Sequence, residues 1–384
     1  KKSDHKAPEL RVTERVRLHL AQDEDEAAAA LVRAQLDQPD SDFISLLEVA
    51  AAAWRVGAGR EALSSLGQER WLEAAPLVVT LTRLTLLVGP RLALHAIAPL
   101  VEQDSACALA PFITAFELTE RSEEATELAR LLVGKDPQCF DAFERGTMAA
   151  SRGGDSTGAL ALSSEAMGRF EGQPRLTAMS LEAMTLNQKW LAIQTAAEPL
   201  LKPGVQPYVL NAWTRYLAQA PTRRRVVAAW TAVRDKAPEN PWALYALGVV
   251  AHHKGDHQTA VTLLLKAAER EPSLAKLGAL YGMSALSTFA LGDVPRARAL
   301  ALQATEVDPL DSFSYRCRGE VLRQAEPMLA RKTLQTAVKL ASKRSSEARL
   351  AAQQLGALER CIESGQEAQC EGPWRVELPN SATE

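Results

Sequence analysis

Residues 241–274 read PWALYALGVVAHHKGDHQTAVTLLLKAAEREPSL, and this stretch decides the fold. Apolar residues recur at steps of three and four on both sides of Gly255-Asp256, a spacing that predicts two amphipathic helices joined by a short turn. The small residues Gly248, Ala260 and Ala267 would let the two helices approach closely. The stretch therefore predicts a helical hairpin.

One spacing of residues recurs along the chain: a small residue, a second one seven residues later, and a proline five residues beyond that. A proline ends a helix because it has no amide hydrogen and clashes with the preceding turn. The pattern is found at Ala260, Ala267 and Pro272, at Ala297, Ala304 and Pro309, and at Ala27, Ala34 and Pro39. Equivalent residues lie 34 positions apart from Ala125 to Ala159 and from Pro238 to Pro272. A fixed period of this length predicts an array of hairpins.

A helix-turn-helix unit of this length resembles the tetratricopeptide repeat family. Residues 241–274 carry the matching residues in the family's order, and residues 278–311 and 140–173 are similar. The resemblance implies an all-α fold, a right-handed α-solenoid (superhelix) of about ten tetratricopeptide-like hairpins with a C-terminal capping helix. It also implies a non-enzymatic scaffold that binds a peptide or partner protein in its concave groove.

The repeat pattern divides the chain into five predicted segments. Ser346 precedes apolar residues at helical spacing and is a typical helix cap, and such a helix would cover the apolar end of the array. The predicted segments are a disordered leader (1–7), partly degenerate hairpins (8–206), better-formed hairpins (207–345), a capping helix (346–366) and an irregular tail (367–384).

Composition excludes several classes of function. The 44 Lys and Arg residues against 47 Asp and Glu give a net charge of -3, so the chain lacks the basic excess that nucleic-acid binding exploits. No phosphate loop, dinucleotide-binding turn, His-Glu-x-x-His or Gly-x-Ser-x-Gly is found, so we expect no enzyme and no cofactor. No apolar run approaches the roughly 18 residues of a membrane span.

The first helix of each hairpin lines the concave side in similar proteins, and the resemblance places the partner there. We predict a groove along residues 208–323, because exposed aromatics beside Arg and Asn are typical of interface hot spots. The predicted partner-binding residues are Tyr208, Asn211, Arg215, Trp242, Tyr245, Val249, His252, Phe289, Phe313, Arg316 and Arg323. The alternative is that Trp242 and Tyr245 are buried between neighbouring hairpins.

The only histidine cluster is His252, His253 and His257, and imidazoles at short range can hold Zn²⁺. Gly255 lies between them and interrupts any common helix face, so we predict no metal site.

Five cysteines fit no zinc-binding spacing. Cys361 and Cys370 could form a disulfide that staples the tail in an oxidising compartment, whereas in a cytosol both would stay reduced. We expect Cys107, Cys139 and Cys317 to be small packed residues.

A second hypothesis is a periplasmic or lipid-anchored assembly factor of a bacterial envelope machine for secretion, motility or the cell wall. The chain begins Lys1-Lys2-Ser3 without Met, so we expect that an anchor or signal could precede Lys1. An envelope location is therefore slightly favoured over a cytoplasmic one.

Overall fold

The computed structural model describes residues 12–36, 56–66, 106–110, 122–170, 173–187, 189–218, 223–341 and 346–364, together with residues 49, 53, 112, 113 and 116. These residues form helices and turns, and none of them forms a strand. The chain divides into two compact units, an N-terminal unit (Glu9–Leu200) and a C-terminal unit that starts at Leu201.

The helices pair in chain order. Those described in the N-terminal unit are α1 (Val12–Ala21), α2 (Asp25–Leu36), α3 (Gly59–Leu66), α4 (Ser122–Lys135), α5 (Phe140–Gly153), α6 (Ser156–Arg169), α7 (Pro174–Leu186) and α8 (Trp190–Ala197). Those described in the C-terminal unit are α9 (Pro207–Leu217), α10 (Arg223–Lys236), α11 (Pro241–Lys254), α12 (His257–Arg270), α13 (Gly278–Ala290), α14 (Val294–Val307), α15 (Ser312–Leu322), α16 (Pro327–Leu340) and α17 (Ser346–Ser364).

Three hairpins turn in the same way, and the sequence explains why. A glycine ends the first helix with a positive φ, a conformation that costs glycine little. These glycines are Gly154 (φ 81°), Gly255 (80°) and Gly292 (85°). The next residue is an aspartate that caps the second helix by accepting the N–H three residues later. These caps are Asp155 (2.8 Å), Asp256 (3.2 Å) and Asp293 (3.2 Å).

Small residues let the two helices of a hairpin approach closely. A Cβ placed on Gly248 would lie 2.9 Å from Cγ of Leu264, and one on Gly319 would lie 2.6 Å from Cγ of Leu334. Ala260 and Ala267 are fully buried in the first of these hairpins. The predicted role of the small residues in residues 241–274 is therefore confirmed.

The N-terminal unit has one large apolar core that runs from Val16 to Met179. The ring of Phe170 closes one side of it and packs edge-on against Phe140 and Phe143, with centroids 5.5 and 5.8 Å away. Edge-on aromatic pairs of this kind add stabilisation beyond the area that they bury.

In the C-terminal unit, α17 covers the last hairpin. Leu358, with Leu355 and Ile362 beside it, packs against Leu322 and Leu334. The predicted all-α fold of helical hairpins with a C-terminal capping helix is thus confirmed. The right hand of the superhelix and the number of about ten hairpins stay predictions, and the predicted leader and tail lie outside the described residues.

Candidate functional site

In the C-terminal unit, the first helices of consecutive hairpins are α9, α11, α13 and α15. Each packs on the next, and α17 packs on α15. We call these five helices the first-helix layer. All the predicted partner-binding residues belong to it except Arg323, which directly follows α15, and the side chain of Tyr208 lies outside the described residues.

Several predicted binding residues are buried instead of exposed. Tyr245 and Val249 are fully buried, and Trp242 and Arg323 retain only 7% and 5% of their exposure. The predicted exposure of these four side chains is wrong because they sit on the faces where α11 and α15 meet neighbouring helices.

Tyr245 shows what fills those faces. Its hydroxyl donates a hydrogen bond to Oγ1 of Thr214 on α9, because the Thr214 hydroxyl donates its own hydrogen to the carbonyl of Leu210 at 2.6 Å. The ring of Trp213 lies 5.6 Å from that of Tyr245, and the ring of Trp230 lies 5.3 Å from Trp213. Burial raises the pKa of Tyr245 above its ordinary value. These rings form core between α9, α10 and α11.

The other predicted residues keep part of their surface accessible. Arg215 is exposed, Arg316 keeps only a small part of its side chain accessible, and the remaining side chains are half-buried: Asn211, His252, Phe289 and Phe313. We call these six residues the accessible set. They lie on all four first helices of the layer, so they are spread along it rather than gathered at one point.

Arg316 links the layer to the capping helix. Its guanidinium lies 4.9 Å from the centre of the Phe313 ring, and its Nε donates to Oε1 of Glu347 on α17 at 2.5 Å. Burial alone would lower the pKa of Arg316, but Glu347 and Glu320 raise it above its ordinary value. The Arg316 side chain is 12% exposed and that of Glu347 is 17% exposed. The pair is therefore largely withdrawn from water, and the carboxylate is the more accessible partner.

A second pair lies about two turns further along α15. Nη1 of Arg323 lies 3.3 Å from Oε1 of Glu320, and the side chains are 5% and 15% exposed. Burial raises the pKa of Glu320, and the charges of Arg323 and Arg316 oppose that rise. Here too the carboxylate faces the solvent more than the guanidinium does.

Two aspartates precede α15, and sequence analysis missed them. Asp311 caps the helix by accepting the N–H of Ser314 at 3.0 Å and its hydroxyl at 2.6 Å. Burial raises the pKa of Asp311, and burial together with the Asp311 charge raises the pKa of Asp308 to about 7. An aspartate directly before Ser312 is a recognisable cap signal that could have found Asp311. Asp308 stands three residues before Asp311 in the chain, but nothing in the sequence indicates that it is buried.

The histidine cluster joins α11, α12 and α13. Nδ1 of His252 lies 2.8 Å from Oγ of Ser287, and Nδ1 of His257 lies 3.5 Å from the same oxygen. The His252 ring centre is 5.0 Å from that of His253 and 6.3 Å from that of His257. Burial, aided by these two imidazoles and by Arg316, lowers the pKa of His252 to about 3. Within the described part of the chain, no group of three or more His, Cys, Asp or Glu side chains is placed to hold a metal ion.

The cysteines differ from the sequence-based expectation. Cys107 and Cys139 were expected only to be small packed residues, but they form a disulfide with a Cα–Cα distance of 5.2 Å. The two lie 32 residues apart in the sequence, close to the length of one repeat. Cys317 is free and fully buried, as expected. Cys361 is disulfide-bonded, but Cys370, its predicted partner, lies outside the described residues.

Over the described residues, these hairpins define the class of protein: an all-α array of helical hairpins. No protein-family model and no curated protein matches the sequence. Among the described helices, none is both long and apolar enough to cross a bilayer.

Two similar solved structures contain helical repeats. The crystal structure of the APC/C hetero-tetramer Cut9–Hcn1 is 14% identical, with a TM-score of 0.40 over 94% of this chain and 85% of that one. The complex of the TPR2AB domain of yeast Sti1 with pHSP90 is 15% identical, with a TM-score of 0.28 over 69% of this chain and 99% of that one. At TM-scores below 0.5, neither structure indicates a partner for this chain.

Proposed function

We propose that the protein is a non-enzymatic scaffold that binds a segment of a partner protein on the first-helix layer of the C-terminal unit. The observation that carries this proposal is the half-buried Phe313 ring with the Arg316 guanidinium above it. Aromatic and arginine side chains that are partly desolvated before binding are the usual anchors of protein interfaces. Phe289 on the preceding first helix offers a second aromatic surface of this kind.

The charges beside these anchors favour a partner segment with at least one basic residue. Glu320 and Glu347 are more exposed than the arginines they pair with. Asp311 is half-buried and lies in the field of the exposed Arg215, so Glu320 and Glu347 are the carboxylates on which this preference rests. A lysine or arginine of the partner would bind beside these two glutamates.

Site-specific photocrosslinking tests the binding surface. A benzoylphenylalanine replaces Phe289 or Phe313, so that the probe keeps the size and apolar character of the native ring. The matched controls carry the same probe in place of Leu302 on α14 or Met328 on α16, which are exposed side chains on second helices. In the protein's own cells, we expect both first-helix probes to capture the same protein and the controls to leave it uncaptured.

The captured protein then allows a direct measurement. Phe313→Ala should weaken its binding by about 30-fold in titration calorimetry, the size expected for an interface anchor. Equal capture by the first-helix probes and the second-helix controls would refute the proposed surface. So would the absence of capture by either first-helix probe.

A second candidate function is an assembly factor in a bacterial cell envelope. The Cys107–Cys139 disulfide favours it, because disulfides persist in oxidising compartments and are rare in a cytosol. Mass spectrometry of the native protein, alkylated before any reduction, tests the idea. Free thiols at Cys107 and Cys139 would count against it.

A further inference from the structure

Ser287 holds two hairpins together through histidines. Its hydroxyl, on α13, is fully buried and lies 2.8 Å from Nδ1 of His252 on α11. The same oxygen lies 3.5 Å from Nδ1 of His257, the first residue of α12. Both helices of one hairpin are thereby joined to the first helix of the next, in the middle of the first-helix layer.

The side chains whose charges act on the His252 ring can carry only positive charge. Those acting on His252 come from His253 on its own helix, His257 on α12 and Arg316 on α15. Ser287 on α13 is neutral. Helices α9 and α10 also pack on α11, but none of their described residues is among the charges that act on His252. Glu347 and Glu320 act on Arg316 instead. A proton on His252 would therefore meet like charges and no described carboxylate.

We propose that the His252–Ser287–His257 junction is an acid-sensitive latch that is closed at neutral pH and opens on acidification, separating α13 from the α11–α12 hairpin. The latch rests on geometry, and only its consequence for partner binding rests on the proposed function. Because His252 and Phe289 belong to neighbouring first helices, opening would distort the surface on which the partner is proposed to sit.

The sign of the pH dependence follows from linkage. Folding lowers the pKa of His252 from 6.5 to about 3, so the closed state favours the neutral ring and the opened state binds the proton more readily. Closed-state stability is therefore full above pH 6.5 and falls as the pH drops below it. A single histidine of this kind raises the opening equilibrium about 25-fold between pH 7 and pH 5.

Hydrogen exchange of the whole chain tests the latch without any partner. After correction for the intrinsic exchange rate, protection of peptides from α11 and α13 should fall about 25-fold from pH 7 to pH 5. Peptides from α5 and α6 in the N-terminal unit serve as the internal reference and should keep their protection. An unchanged protection of α11 and α13 at pH 5 would overturn the proposal.

Two variants distinguish opening of the latch from a general loss of stability at acidic pH. His252→Asn keeps a polar atom near the position of Nδ1 but cannot be protonated, so its α11 and α13 protection should change by less than about threefold over the same range. His19→Asn removes a half-buried histidine of the N-terminal unit and should behave as wild type. If His252→Asn does not fold by circular dichroism, His252→Gln, which also cannot be protonated, takes its place. The same pH dependence in wild type and in the folded variant would also overturn the latch.

The proposed function can fail independently of the latch. Crosslinks from the probe at position 313 that are present at pH 7 and lost at pH 5 only when His252 is present would support both the binding surface and the latch. Absent crosslinks with pH-dependent exchange would refute the binding surface and leave the latch standing. Crosslinks that persist at pH 5 in wild type would overturn the regulatory role.

Discussion

An ion pair of the first-helix layer and one of the N-terminal unit differ in their exposure to water. In the N-terminal unit, the Arg130–Asp155 pair joins side chains that are 54% and 44% exposed. In the first-helix layer of the C-terminal unit, the Arg316–Glu347 side chains are only 12% and 17% exposed. An exposed pair contributes little to stability, whereas a buried pair must overcome the loss of hydration of both ions.

The comparison sets a region held by an apolar core and a disulfide beside the region proposed to bind a partner. The N-terminal unit combines a continuous apolar core with the Cys107–Cys139 disulfide, which stabilise a fold without requiring any partner. In the C-terminal unit, the burial of ions and carboxyl groups along the first-helix layer lowers the free energy of unfolding. We infer that the second arrangement is kept for binding, since an apolar layer would be at least as stable.

The largest effect should come from the disulfide. Replacing Cys107 and Cys139 by serine removes a link across 32 residues, and we expect a loss of about 3–4 kcal/mol confined to the N-terminal unit. Hydrogen exchange of α4 to α7 during a urea titration measures this loss. Cys317→Ser, which removes a free thiol from the other unit, should leave that transition in place. A disulfide variant as stable as wild type would mean that the apolar core alone holds the unit.

A smaller effect should come from the buried ion pair. Glu347→Gln removes the carboxylate that is hydrogen-bonded to Arg316 and leaves only the weaker influence of Glu320, and we expect the C-terminal unit to lose about 2–3 kcal/mol, slightly less than for a fully buried pair. The matched change Glu165→Gln removes the exposed partner of Arg169 and should cost less than about 0.5 kcal/mol. Urea unfolding monitored for each unit measures both.

The double variant Arg316→Met with Glu347→Gln sharpens this comparison. Removing both charges should recover most of the stability lost in Glu347→Gln, because no unpaired ion remains. Equal costs for Glu347→Gln and Glu165→Gln would remove the distinction between the two units.

The smallest effect concerns Asp308, and it should be a gain. Folding raises the pKa of this carboxyl from 3.8 to about 7, so the folded state loses stability as the pH rises through that range. Asp308→Asn should therefore stabilise the C-terminal unit at pH 7 by up to about 1 kcal/mol after allowance for solvent screening, and by much less at pH 4. Urea midpoints at the two pH values measure this. Asp235→Asn, a change at an exposed site, should have the same effect at both.

The sequence predicted the parts of the fold that depend on local chemistry. Gly255 and Asp256 form the turn because glycine tolerates a positive φ and aspartate caps the next helix, and both properties act over a few residues. Ala260 and Ala267 were recognisable because a hairpin interface recurs at helical spacing. These local rules were enough for the hairpins and the capping helix.

The site was harder to predict because its contacts join distant parts of the chain. Tyr245 is buried against Thr214, 31 residues earlier, and Arg316 meets Glu347, 31 residues later. Both faces of a first helix carry aromatic and polar residues, so helical periodicity could not tell which face meets a neighbouring helix. The Cys107–Cys139 bridge was missed for the same reason, since spacing alone does not give the distance between two thiols.

Helix α17 makes two kinds of contact with the final hairpin, and a longer array would have to replace both. Its leucines seal the apolar end of the final hairpin, and its Glu347 supplies the carboxylate that accepts the hydrogen bond of Arg316 Nε. A chain extended by another copy of the 34-residue unit at this end would need a new seal and a new anion for that arginine. Growth of the protein by duplication is therefore easier in the middle of the array than at its C-terminal boundary.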